Sequence, residues 1–90
     1  MKTIEIIVYG RVQGVGFRYF TVRLAQLYNI RGYVQNRGDG NVKIVAMGKE
    51  EELDLFVQEI SRGPRWAYID RVETTELISA REYPNFRIVY

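Results

Sequence analysis

The chain has 90 residues, 47% hydrophobic and 27% charged, with a formal net charge of +2; this is the balance of one soluble globular domain spanning residues 1–90. It has no histidine and no cysteine, which excludes a Ser-His-Asp triad, a phosphohistidine, a cysteinyl-phosphate intermediate and a disulfide, and takes away the usual zinc ligands. No apolar run reaches the roughly eighteen residues of a membrane span and no signal-peptide pattern opens the chain, so a cytoplasmic location with no membrane partner is expected.

In chain order, Thr3 to Tyr9 place Ile4, Ile6 and Val8 on one face and read as a strand. A glycine-bearing loop follows. Phe17, Phe20, Leu24, Leu27 and Tyr28 then recur at helical spacing, so a helix is predicted over about 18–29. Residues 32–37 and 41–47 read as two strands joined by the turn Arg37-Gly38-Asp39-Gly40, the second strand being the more apolar and the more central. Glu50, Glu51 and Glu52 suit the positive end of a second helix. Its Leu53, Phe56, Val57 and Ile60 make one apolar stripe, and Gly63-Pro64 ends it. A fourth strand is predicted over 68–77, after a turn holding Trp66, and Phe86, Ile88 and Tyr90 alternate in a short last strand. The predicted fold is α+β: a ferredoxin-like β-α-β-β-α-β order plus a short C-terminal strand, with two helices on one face of an antiparallel sheet.

The chemistry concentrates in the first loop, Gly10-Arg11-Val12-Gln13-Gly14-Val15-Gly16-Phe17-Arg18. A helix N-terminus carries unpaired N–H groups and partial positive charge, where acids are normally favoured. Here it carries Arg18, a like charge. Gly14 and Gly16 allow backbone angles that turn successive N–H groups toward one point. The combination describes a cradle for a phosphoryl group. A guanidinium carries its charge permanently and forks toward two oxygens, so Arg18 is the candidate that binds and orients it. The N–H groups of Val12, Gln13, Gly14, Val15, Gly16, Phe17 and Arg18 are the candidate donors for the remaining oxygens. Asn36, at the end of the second strand, has two readings. Its amide could grip a water and aim a lone pair at phosphorus, or it could bond its own turn, as Asn beside Gly and Asp commonly does.

The segment Gly10 to Arg18 resembles the phosphate loop of the acylphosphatase family. The stretch Gly32-Tyr33-Val34-Gln35-Asn36-Arg37-Gly38-Asp39-Gly40-Asn41-Val42, with Gly48 beyond it, resembles that family's second motif, and Tyr83 to Tyr90 resembles its last strand. The resemblance covers essentially the whole chain. It implies a hydrolase that cleaves the carboxyl-phosphate anhydride of acyl phosphates, with Arg18 binding phosphate and Asn36 orienting the attacking water. It also implies that the proton leaves water for the substrate's own phosphate oxygen. The composition agrees with this chemistry. A carboxylate leaving group, whose conjugate acid has a pKa of about 4, departs without being protonated. A site lacking histidine and metal is therefore sufficient for acyl phosphates and inadequate for stable monoesters, which need a general acid or a metal.

No cofactor and no metal are expected. The expected partners are a small-molecule acyl phosphate, and inorganic phosphate as product and competitive ligand; no nucleic acid is expected, and a monomer is the default. Arg11, Arg37 and Lys43 read as solvated charges, and Phe17 and Tyr33 as core or pocket wall. The carboxylate of Tyr90 is a candidate partner for Arg18. Two alternatives remain. Gly14 to Phe20 faintly echoes the glycine-aromatic motif of RNA-binding ferredoxin-like modules, although that motif belongs on a central strand. The chain could also be a carbamoyl-phosphate-handling domain of a larger maturation protein.

Overall fold

The computed structural model describes residues 1–78 and 81–90. Its elements follow in the order β1 (Lys2–Arg11), α1 (Phe17–Leu27), β2 (Arg31–Asn36), β3 (Val42–Gly48), α2 (Glu50–Arg62), β4 (Tyr68–Glu76) and β5 (Phe86–Val89). They form the expected ferredoxin-like arrangement, with the strands in the order β4-β1-β3-β2-β5.

The helix-covered face of the sheet carries the core residues of three strands. Ile4, Ile6 and Val8 of β1, Val42, Ile44 and Ala46 of β3, and Val34 of β2 all lie within one core cluster. Both helices close over it, α1 through Phe17 and Ala25 and α2 through Leu53, Phe56 and Ile60. The rings of Phe56 and Phe86 meet edge to face, 6.3 Å apart, and join α2 to β5. The apolar β3 is central, pairing antiparallel with both β1 and β2.

Two details differ from the sequence reading. The first strand continues through Gly10 and Arg11, which pair with Ile69 and Tyr68 after a register shift at Tyr9/Gly10. The shift acts as a bulge, re-aiming the chain as it leaves the sheet. The last strand pairs parallel with β2, from Gly32↔Phe86 to Gln35↔Val89. The sheet is therefore mixed, antiparallel everywhere except at this edge.

That parallel edge has a consequence for the site. β1 and β2 both run antiparallel to β3, so they point the same way, and β5 points with β2. The exit of β1, the end of β2, the chain terminus and the start of α1 thus gather at one end of the sheet.

Candidate active site

The loop between β1 and α1 is held at both ends. Val12 and Phe17 are each only 1% exposed and belong to the core, while Gly14 and Gly16 between them are exposed. Both glycines are left-handed, with φ of 74° and 80°, and a Cβ built on either would meet nothing within 4 Å. Glycine is therefore needed here for the direction of the backbone, and close packing has no part in it. Anchored ends and left-handed glycines together set the directions of the loop's N–H groups before any ligand arrives.

The two helix starts differ in a telling way. α2 begins with Glu50, Glu51 and Glu52 in its first turn, three acids against its positive end. α1 begins at a left-handed Gly16 with no side-chain cap and no acid in its first turn. The first N–H groups of α1 are left for something other than its own side chains, and Arg18 stands half-buried in that same turn. Among the described residues no acidic side chain pairs with this charge. A bound dianion would.

Arg18 does not meet the terminal carboxylate, as the sequence had suggested. Its guanidinium carbon stands 5.1 Å from the centroid of the Tyr90 ring, and no ion pair joins it to the terminus among the described residues. The planar cation and the aromatic face attract one another through the ring quadrupole, and this contact is available without turning the carboxylate inward.

Asn36 ends β2, paired in register with Val42. The turn beyond it is closed by other groups. Arg37 donates its N–H to the carbonyl of Asn41 at 2.8 Å, Gly40 donates to the carbonyl of Arg37 at 3.2 Å, and Asn41 donates to Asp39 Oδ1 at 3.1 Å. Asp39, and not Asn36, is the turn's own side-chain acceptor. Asn36 Oδ1 is buried and, among the described residues, has no hydrogen-bond partner. Such an atom costs free energy unless something outside the protein satisfies it.

The nearby cations are mostly spoken for. Arg37 pairs with Asp39 at 3.6 Å and Lys43 with Glu5 at 3.6 Å, in keeping with solvated, locally paired charges. Phe17 is core, 5.7 Å from the ring of Phe20. Tyr33 lies edge-on to Tyr83 at 6.0 Å and lines a separate cleft of about 470 Å³ with Gln35, Arg81 and Arg87, to which no loop residue contributes. Among the described residues, no group of three or more His, Cys, Asp or Glu side chains could hold a metal. No helix there is long and apolar enough to cross a membrane.

One contact at the candidate site left no trace in the sequence. The side-chain amide of Gln13 donates to the carbonyl oxygens of Arg37, at 2.7 Å, and Asn41, at 2.9 Å. It ties the glycine loop to the turn beyond Asn36. The partners are backbone atoms 24 and 28 residues away, so neither residue type nor spacing announces the contact.

Comparison with known proteins agrees with this geometry over nearly the full length. The family profile described as Acylphosphatase matches residues 4–88. The acylphosphatase of Archaeoglobus fulgidus is 44% identical over 90 residues, covering 100% of both chains. Among solved structures, the acylphosphatase from Bacillus subtilis superposes with a TM-score of 0.96 at 42% identity, again covering 100% of both chains. A full-length HypF in its phosphate- and nucleotide-bound form superposes with a TM-score of 0.91 at 37% identity, but the match spans 12% of that chain.

Proposed function

The chain belongs to the acylphosphatase family and is a hydrolase of acyl phosphates, and we propose that water held by Asn36 attacks a phosphoryl group bound by Arg18 and by the loop N–H groups from Val12 to Arg18. One observation carries this reading: the buried, unpartnered Oδ1 of Asn36 at the same sheet end as the loop. A water gripped by this half-buried amide, which both donates and accepts, has its position fixed and a lone pair free for phosphorus. The guanidinium of Arg18 takes two phosphoryl oxygens in its fork, and the loop takes the third. These donors are preorganised, so they strengthen as charge shifts in the transition state without moving.

The bond from the water oxygen to phosphorus forms as the bond from phosphorus to the acyl oxygen breaks. The carboxylate leaves with the bonding pair, and the water proton passes to a phosphoryl oxygen. The products are carboxylate and inorganic phosphate, the latter a competitive ligand of the same cradle. No step calls for a metal or a cofactor. We read residues 1–90 as one such domain, acting as a monomer on a small molecule in the cytoplasm. RNA binding is the weaker reading because Gly14 to Phe20 form a loop and a helix start, not a central strand. The HypF likeness, which spans 12% of that chain, bears on the shared domain and not on the activity of that whole protein.

Benzoyl phosphate hydrolysis in excess chelator tests the assignment. The wild type stays active, while Arg18→Ala and Asn36→Ala each lose about a hundredfold or more, with Asn36→Ala still inhibited by inorganic phosphate. Wild-type turnover in Asn36→Ala would remove the water-positioning role, and chelator-sensitive turnover would remove the metal-free path.

A further inference from the structure

We infer that the side chain of Gln13 is a positioning residue that sets the distance between the phosphate cradle and the water-holding end of β2. The inference rests on the roles proposed above for Arg18 and Asn36. Both N–H bonds of a single amide are used, one on the carbonyl of Arg37 and one on the carbonyl of Asn41. Those two carbonyls directly flank the Asn36–Val42 pair on its turn side. They also accept the turn's own bonds, from Gly40 and Arg37 respectively, so Gln13 occupies their second lone pairs and holds the turn as a unit. On the other side, Gln13 follows Val12, which is 1% exposed, so the brace starts from a fixed point in the core.

The consequence is geometric. In-line attack needs the water on Asn36 and the phosphorus in the cradle to lie at one separation and angle. The loop and the hairpin are different parts of the chain, joined at this end of the sheet by the Gln13 amide. Its side chain is turned toward the hairpin, which leaves its backbone N–H to the cradle. Binding of phosphate depends on the loop and Arg18 alone. The alignment of water with phosphorus depends on the brace. Loss of the brace therefore falls on turnover and not on affinity.

The test is a double-mutant cycle with benzoyl phosphate, recording kcat, KM and inhibition by inorganic phosphate. Gln13→Ala is expected to lower kcat about tenfold or more, with KM and the phosphate inhibition constant held within about twofold. Gln13→Glu, which keeps the shape but sets a carboxylate without donors against two carbonyl oxygens, is expected to fall at least as far. Gln13→Ala combined with Asn36→Ala is expected to be no slower than Asn36→Ala alone, because a misaligned water matters only where Asn36 holds one. Multiplying losses in the double variant, losses confined to KM and phosphate inhibition, or wild-type kcat in folded Gln13→Glu would each overturn the inference. If Asn36→Ala is itself fully active, the water-positioning reading falls and takes this one with it. If Asn36→Ala is impaired and Gln13→Ala is not, the inference alone falls.

Discussion

The guanidinium of Arg18 faces the ring of Tyr90, the last residue of the chain, with 5.1 Å between the guanidinium carbon and the ring centroid. Tyr90 is 86% exposed, so the pair works in a wet environment, where such contacts contribute about 0.5–1 kcal/mol. That corresponds to a factor of roughly two to five in an equilibrium constant. Tyr90→Ala should raise KM and the phosphate inhibition constant by about that factor, and Tyr90→Phe should restore both. Two residues appended after Tyr90 keep the ring and displace the carboxylate. Kinetics within about twofold of wild type in the extended chain assign the effect to the ring, and a loss as large as in Tyr90→Ala would return it to the carboxylate.

Gly16 offers a substitution in which space is not the obstacle. Its φ is 80°, and an added Cβ would touch nothing within 4 Å, so Gly16→Ala pays only the left-handed penalty of about 1–2 kcal/mol. The chain has a second option, which is to relax toward negative φ and turn the following N–H groups away. Either route weakens the cradle. We expect phosphate inhibition to weaken about tenfold or more while the thermal midpoint falls by roughly 4–16 °C. Unchanged phosphate inhibition in Gly16→Ala would show that the loop N–H groups are not the ligands.

How far the sequence led depended on whether a feature was local. β1, α1 and α2 were legible because their apolar residues repeat along one element, as in Leu53, Phe56, Val57 and Ile60. The α1 start was legible because Arg18 violates a rule that Glu50, Glu51 and Glu52 obey. Asn36 was half-legible: its residue type allowed two roles, and favouring the water-holding one took both the family resemblance and the finding that Asp39 closes the turn. The parallel pairing of β5 with β2 was hidden because pairing partners are set by a connection that crosses the sheet. The Gln13 brace was hidden because a side chain bonding distant carbonyls leaves no pattern in residue types.

The core should separate stability from catalysis. Phe56 is fully buried and meets Phe86 edge to face, on the helix that carries no site residue. Phe56→Ala should cost about 3–5 kcal/mol in urea unfolding. In conditions where the variant remains folded, KM should stay within about twofold of wild type, since α2 and β5 brace the sheet rather than the loop. A change in phosphate inhibition larger than that would mean that the cradle depends on α2 packing.

Asn36 should behave in the opposite way. A buried oxygen without a partner costs about 1–3 kcal/mol, so the residue proposed to hold the water is held against stability. Asn36→Ala removes that oxygen and leaves intact every hydrogen bond that closes the turn, since those run through Arg37, Asp39, Gly40 and Asn41. The variant should therefore be nearly inactive yet as stable as wild type, or more stable by up to about 1 kcal/mol. Inorganic phosphate should then raise the unfolding midpoint of both proteins equally, because a ligand stabilises by its affinity for the folded state and the proposed phosphate ligands are the loop and Arg18. If Asn36→Ala unfolds far more easily than wild type, its amide is a structural strut and the orphaned oxygen has another explanation. If it is stable but phosphate no longer protects it, Asn36 is a phosphate ligand and the water must be held elsewhere.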